Sequence, residues 1–579
     1  MTKATTREVD VLIIGSGAAG MCAAAVAKLQ GLDVLLVEKT AYFGGTTALS
    51  GGGTWVPLNR QGKALGVTDS RERVERYLDQ VVGEAAPREL RQAFLEHGPA
   101  MLEFLEQHTE VKFSGRAYSP DYWSELDGAG EGGRALDPLE FDGRTLGPQF
   151  ENLRKPWPEF VAFGGMMVNK GDIDLLLQAK RSRKGFVHAV KLLTRFITDR
   201  LRGYSRGTRL VLGNALAGRL YKSLLDLDVP MWANAPASAL RTEGGRIVGA
   251  LVQRNGQPVE VTARRGVLLA TGGFPGNPSM RAQLLPQPGG QWSAGNEANE
   301  GDGLRMALDL GASLGDKRNA NNAFYSPVSL MKRADGSTAR FPHLMLDRYK
   351  PGVIMVNRQG QRFVNEADSY HACGEAQYRT GAVPAWLICD SQFLARYGLG
   401  MVRPQAASLQ RFLDAGYLKR GATIGELAAA LQVDIEGLNA TVTRYNHYAV
   451  RGQDPDFGKG QSAYNRYLGE PGHQPNPCLA PIEQGPFYAV EVVPGDIGTA
   501  CGLLTDEHAR VLGENGQPIP GLYAAGNDMN SIMGGHYPGP GITLGPGLTF
   551  GYLAARHMAL PVSPTSATAP RGQPMTHAR

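Results

Sequence analysis

The chain opens on a pattern of apolar and polar positions that predicts a complete βαβ unit. Residues 9–14 form an apolar, β-branched run broken only by Asp10, as expected of a strand buried on both faces of a parallel sheet. Gly15-Ser16-Gly17-Ala18-Ala19-Gly20 follows, then an alanine-rich helical stretch to Gln30, then a second apolar strand over 33–37 that ends at Glu38. Two later segments repeat the buried-strand pattern. Residues 266–273 are such a strand closing on a glycine turn, after a hairpin-like run over 241–265, and Gly521-Leu522-Tyr523-Ala524-Ala525-Gly526-Asn527 is another. Between 170 and 209 the period becomes helical. At ~100° per residue Phe186, Val190, Leu193, Ile197 and Leu201 share one side, while Lys184, Lys191, Arg195 and Arg202 share another, which predicts an amphipathic basic helix.

Composition narrows the class. A chain of 579 residues that is 42% hydrophobic can bury more than one core, so one small binding module is excluded. Glycine accounts for 75 of the 579 residues, 13% against a typical ~7%, without the G-X-Y period of collagen. Backbone must therefore turn tightly or approach a ligand closely somewhere in this fold. The formal net charge of +5 gives no ground for nucleic-acid binding. It hides an asymmetry, since residues 170–209 hold eleven Lys or Arg and three Asp, a net of +8 on a remainder of −3. The basic helix either packs on the core with a solvated face or makes peripheral contact with an anionic membrane through 180–202. The five cysteines contain no CxxC pair, against a disulfide framework or a zinc site, and no metal-ligand motif is present. No stretch reaches ~18 apolar residues and the N-terminus lacks a signal-type apolar region. The expectation is a soluble, cytoplasmic protein.

The candidate chemistry begins at the first glycine cluster. Gly15 makes the tight turn, Gly17 lets backbone reach a pyrophosphate, and Gly20 lets the helix sit close on the sheet. The helix N-terminus offers free N–H groups to the phosphates, and Glu38 is placed to accept from a ribose hydroxyl. A dinucleotide is the expected ligand. Gly203-Tyr204-Ser205-Arg206-Gly207 matches the nucleophile pattern GxSxG, but it follows a basic helical stretch rather than the buried strand an elbow requires. In His536-Tyr537-Pro538-Gly539-Pro540-Gly541, a phenol stands beside a backbone N–H on a rigid turn, as an oxyanion hole needs.

The run 39–53, with Gly44-Gly45-Thr46-Thr47-Ala48-Leu49-Ser50-Gly51-Gly52-Gly53, resembles the segment by which the fumarate reductase and ketosteroid dehydrogenase flavoproteins wrap FAD. With GSGAAG, the Pro120-Asp121-Tyr122 segment, Asn365-Glu366 followed by Tyr370, the run 487–499, the run 521–527 and YPGPG, the chain resembles the 3-ketosteroid Δ1-dehydrogenase family over nearly its whole length. The resemblance implies an α/β fold, α+β overall. A Rossmann-like FAD-binding domain, split in sequence (1–290 and 484–560), would hold an inserted substrate domain (291–483), with a disordered tail over 561–579. It implies FAD contacts from Gly15, Ser16, Gly17, Ala18, Ala19, Gly20, Glu38, Lys39, Gly45, Thr46, Thr47, Ser50, Gly51, Gly52, Gly53, Ala237, Gly272, Asn527, Ile542 and Leu544. No histidine stands in 39–53, so FAD is expected without a covalent bond.

For catalysis the resemblance implies that Tyr537 and Gly541 polarise the C3 carbonyl of a 3-ketosteroid or similar lipophilic ketone. Tyr370 would take the C2 proton, Tyr122 would hydrogen-bond that base and lower its pKa, and hydride would pass to flavin N5. Electrons would then go to a quinone-like or other acceptor. Trp123, His371, His536 and Ala500-Cys501 depart from the family pattern where substrate shape is read. Two alternatives stay open: a fumarate-reductase-like enzyme for small dicarboxylates, with Arg403 as a conceivable proton donor, and a flavin redox module without turnover.

Overall fold

The computed structural model describes residues 5–315 and 322–561; the expected disordered tail lies outside the described residues except for Pro561. Strand β1 (Thr5–Ile14), helix α1 (Ala18–Leu29) and strand β2 (Val34–Val37) form the anticipated βαβ unit. Every residue of α1 from Ala18 to Ala27 is buried, which explains why alanine dominates it. Nothing larger fits at Gly20, where a Cβ would lie 2.1 Å from the Gly15 carbonyl oxygen. Strands β3 (Thr54–Trp55), β4 (Phe113–Gly115) and β5 (Ala135–Pro138) make a small antiparallel sheet with β5 in the middle.

The basic stretch forms helix α2 (Arg183–Leu201), as its period predicts, but does not dock through its apolar side, as the first of the two readings requires. Its buried seam is Gly185, Leu192 and Asp199, one residue per two turns. His188 bonds Asp172, Arg195 bonds Asp142, and Asp199 receives Arg144 and Thr208. Phe186, Val187, Val190, Ile197 and Leu201 are left exposed, Leu201 by 84%. Packing of the apolar side on the core is thereby corrected: polar and charged partners at 142, 144 and 172 claim the inward face.

Strand β6 (Gln257–Leu269) then returns to lie parallel to β1, with Leu12 opposite Val267 and Ile14 opposite Leu269. It carries the hairpin formed with Ala237–Glu243 and Arg246–Arg254. A second sheet of six antiparallel strands is built around β7 (Ala323–Lys332) and β8 (Phe487–Thr499). Helix α3 (Tyr370–Thr380) packs against β7. Because β8 pairs with β7, Ala385–Cys389 and Leu418–Gly421, the expected boundary at 483/484 is corrected. The chain leaves the second sheet after Thr499 and rejoins the first through Arg510–Leu512 and β9 (Pro518–Ala524), which is parallel to β6. Helix α4 (Leu544–Ala559) closes on α1. All five cysteines are free and buried, and among the described residues no helix is long and apolar enough to cross a membrane.

The contact between α1 and the first glycine turn makes a testable point. Gly20→Ala places a methyl against a carbonyl oxygen that must move, an overpacking cost of ~1–3 kcal/mol. The expected result is a lowered apparent melting temperature, with flavin lost on gel filtration. An unchanged melting temperature contradicts the packing described.

Candidate active site

The predicted cofactor loop sits at the mouth of the first sheet. Helix α1 has Gly17 at its N-cap with no side-chain cap, and its N-terminal Ala18 N–H donates to Thr47 Oγ1 at 3.0 Å. A Cβ built on Gly17 would find only Thr47 Oγ1, at 3.9 Å, and one on Gly51 would meet nothing within 4 Å. Open space over bare backbone at a helix N-terminus fits a pyrophosphate. Gly45 lies against Gly17, and Ser50 Oγ donates to the Thr47 carbonyl while accepting from Gly52 N–H. Thr46 Oγ1 accepts from Asn296 N–H and Asn299 Nδ2. Gly272, at φ +93°, belongs to a turn gathered by Asp528, whose carboxylate accepts from Thr271 and Gly273 N–H. Asn527, Ile542 and Thr543 line one cleft with Thr499 and Phe324, and Leu544 opens α4 behind it. Ala237 starts its strand close to the end of β2, where Ala235 N–H bonds the Glu38 carbonyl.

Two expected contacts are qualified. The Glu38 carboxylate already accepts four hydrogen bonds, from Ser16 N–H and Oγ and from Thr40 N–H and Oγ1. A carboxylate offers about four such positions, so a ribose hydroxyl must share one of them. The Lys39 ammonium is held by Glu300 at 2.8 Å and Asp302 at 2.6 Å, so its side chain is committed to acids.

Three tyrosines that are far apart in sequence meet at the edge of this cradle. Tyr122 OH donates to Tyr370 OH at 3.0 Å across 248 residues of chain. The Tyr537 ring stacks on Tyr122 at 5.4 Å and stands edge-on to Tyr370 at 5.3 Å. Its hydroxyl is engaged by Tyr370, Thr543 and the Gly541 N–H. Burial pushes the Tyr537 phenol up to about 12, and those hydrogen bonds oppose the shift. Tyr122 and Tyr370 stand well above the usual tyrosine value, chiefly through burial, and in Tyr370 also through the two neighbouring phenols. The expected lowering of the Tyr370 pKa by Tyr122 is thus corrected. The shared hydrogen bond lowers Tyr122 instead, against the larger effect of burial.

Asp121, buried, holds the Tyr122 segment in place. Its carboxylate accepts from Trp55 Nε1 at 2.8 Å, Gly130 N–H at 2.9 Å and Arg134 Nη1 at 2.7 Å. The turn at 538–541 is fixed from the same side. Tyr122 N–H and Tyr77 OH both donate to the Pro538 carbonyl, and Trp55 N–H to that of Gly541. At Gly541, φ is +109° and a Cβ would fall 2.4 Å from Gly53 backbone, so glycine is obligatory.

Tyr370 begins α3, capped by Ser369, and the preceding loop is clamped by two fully buried side chains. Arg348 donates to the carbonyls of Glu366 and Asp368, and Asn465 Nδ2 to that of Ala367 at 2.7 Å. Sequence reasoning missed Arg348 and Asn465, which no motif marks. It also missed Phe324 and Tyr464, whose rings touch Tyr537 and Tyr122. Asp121 was legible as the acid beside Tyr122.

Of the departures, His371 lies between the Tyr325 and Tyr537 rings with Nδ1 accepting from Tyr325 N–H. Burial lowers the pKa of His536. Trp123 N–H reaches Tyr77 OH at 3.4 Å, and Cys501 N–H bonds the Asn322 carbonyl. Arg403 donates to the Val161 carbonyl. Ser205 sits exposed after α2 with its Oγ on Glu151, away from any strand-to-helix elbow.

Residues 10–544 match the family described as FAD binding domain, so the chain belongs to this family of flavoproteins. A 3-oxosteroid 1-dehydrogenase of Mycolicibacterium smegmatis is 37% identical, over 98% of this chain and 99% of its own. A 4-oxocyclohex-2-ene-1-carboxylate 5-dehydrogenase of Sinomonas cyclohexanicum is 39% identical, over 95% of this chain and 93% of its own. The solved 3-ketosteroid Δ1-dehydrogenase of Sterolibacterium denitrificans, in complex with 1,4-androstadiene-3,17-dione, is 39% identical. It superimposes with a TM-score of 0.89 over 96% of this chain and 99% of that one. Within the family the protein is an FAD-dependent oxidoreductase acting on CH–CH groups, of the 3-oxosteroid 1-dehydrogenase kind. That settles the choice against a redox module without turnover.

Proposed function

We propose that the enzyme introduces the C1–C2 double bond into a 3-ketosteroid or comparable ring ketone. The observation that carries this reading is the convergence of Tyr122, Tyr370, Tyr537 and the Gly541 N–H beside the glycine cradle. Removing a proton next to a ketone requires the carbonyl oxygen to be stabilised as it gains charge. Tyr537 OH and Gly541 N–H are the donors for that oxygen. Tyr370 is the base for the α-proton, and Tyr122 holds it in line through the 3.0 Å hydrogen bond. Burial raises both phenols, so proton removal by Tyr370 requires a neighbouring group that favours its phenolate. Bound FAD supplies the acceptor for the hydride from the adjacent carbon. It is held non-covalently by Gly15 to Gly20, Glu38, residues 45–53, Ala237, Gly272, Asn527, Ile542 and Leu544, with Lys39 contributing through its main chain. The FAD-binding part comprises 1–290 and 500–560, and the substrate part 291–499.

The exposed apolar line of α2 supports a peripheral membrane contact. Lys184 and Lys191 on the same helix and Arg202 at its C-cap are exposed, a combination suited to an anionic lipid surface. Lipophilic ketones and a quinone-like electron acceptor would both be met there.

Tyr370→Phe should keep the yellow flavin and lower kcat by ~10²–10⁴. Tyr537→Phe, which removes one oxyanion donor, should lower kcat by ~10²–10³ with a rise in KM. Steady-state assays with androst-4-ene-3,17-dione check both, and unchanged turnover in Tyr370→Phe removes it as the base. For the membrane contact, the wild type should sediment with anionic liposomes at low salt and less at high salt. A Lys184→Glu/Lys191→Glu/Arg202→Glu variant should stay in the supernatant, at ~1 kcal/mol of lost attraction per basic residue. Equal sedimentation of variant and wild type contradicts it.

A further inference from the structure

We propose that Arg116 is a specificity-determining residue that binds a carboxylate carried by the ring-ketone substrate. The inference rests on the ring-ketone reading above and names a substrate class within it: cyclic keto acids. Arg116 directly follows β4, and its N–H bonds the Ala135 carbonyl at 3.0 Å. Asp137, on β5, takes Arg116 Nε at 2.8 Å and Nη2 at 2.6 Å. The remaining nitrogen, Nη1, is inaccessible to solvent and has no hydrogen-bond partner among the described residues. An unpaired donor on a buried charged group is costly, so such an edge is normally matched by an acceptor.

The Nη2 side of the guanidinium borders the glycine cradle. A Cβ built on Gly53 would lie 3.5 Å from Arg116 Nη2 and 3.5 Å from the Pro540 carbonyl oxygen, one residue before the oxyanion donor Gly541. Its charge acts on the Tyr122 phenol, opposing the much larger effect of burial. Burial works against the Arg116 charge itself, but the hydrogen bonds and field of Asp137 hold its pKa above the usual arginine range. Asp137 is 41% exposed and screened by water, whereas the Arg116 side chain is 16% exposed. A guanidinium that has given one face to a carboxylate still offers a second face to another anion. A substrate carboxylate matches that second face in charge and geometry better than a ketone oxygen does.

The test compares 4-oxocyclohexanecarboxylate with its methyl ester in the FAD-loaded enzyme. Wild type should favour the acid over the ester in kcat/KM by about thirtyfold or more, the scale of a charged hydrogen bond. Arg116→Met should abolish that preference mainly through KM, and Arg116→Lys should keep part of it. Equilibrium binding of both compounds, read anaerobically from the flavin absorbance shift, gives the same ratio without turnover. A preference in binding therefore supports the inference even where neither ketone is oxidised, an outcome that would sink the ring-ketone reading instead. A wild type that binds the ester as well as the acid overturns the Arg116 inference. So does an Arg116→Met ratio within twofold of wild type; if FAD affinity falls in that variant instead, the free edge belongs to the flavin.

Discussion

The buried Asp121 carboxylate joins three parts of the chain that must agree for the site to exist. It ties Trp55 on β3, the turn at Gly130 and the Arg134 guanidinium to the residue immediately before Tyr122. Arg134 is itself nearly inaccessible and shares its charge between Asp121 and Asp69. Removing one member of such a buried pair leaves the other uncompensated, which is why the arrangement is stiff. Because Trp55 also donates its backbone N–H to the Gly541 carbonyl, this one carboxylate sets Tyr122 and the turn at 538–541 in a common frame. The Asn365 to Ser369 loop, which carries Tyr370, is held separately, by Arg348 and Asn465.

Burial has opposite consequences for the two kinds of group in the site. Keeping Tyr537 protonated suits a hydrogen-bond donor to a developing oxyanion. It disfavours a phenolate at Tyr370, because a charge buried against two other phenols is poorly solvated. The small β3, β5, β4 sheet brings a cation to the same wall through Arg116, so the chemistry at the ketone and the recognition of what surrounds it share one scaffold.

Much of the fold was legible because it rests on local pattern. Strand β1, the end of β6 and the return strand β9 all carry apolar runs closed by glycine. The period of α2 was legible too, but not its orientation. Helical spacing defines two faces and cannot say which one meets Asp142, Arg144 and Asp172. The end of the inserted sheet was misplaced because β8 emerges directly from a loop, and its pairing partners lie far away in sequence. The tyrosines came from family motifs alone, since no periodicity relates positions 122, 370 and 537. The glycine excess has a conformational basis: among the described residues 38 glycines have positive φ, spread from Gly15 to Gly541. Arg348 and Asn465 were invisible because a lone buried polar residue announces itself only through the carbonyls it satisfies.

The central claim is that phenols and a backbone N–H, next to a bound flavin, desaturate a ring beside its ketone. It is tested most directly by mixing the FAD-loaded enzyme anaerobically with androst-4-ene-3,17-dione and, separately, with succinate, while following flavin absorbance. The account predicts that the ketone bleaches the flavin within the time of a turnover and that succinate leaves it yellow. Bleaching by succinate with no response to the ketone would contradict it.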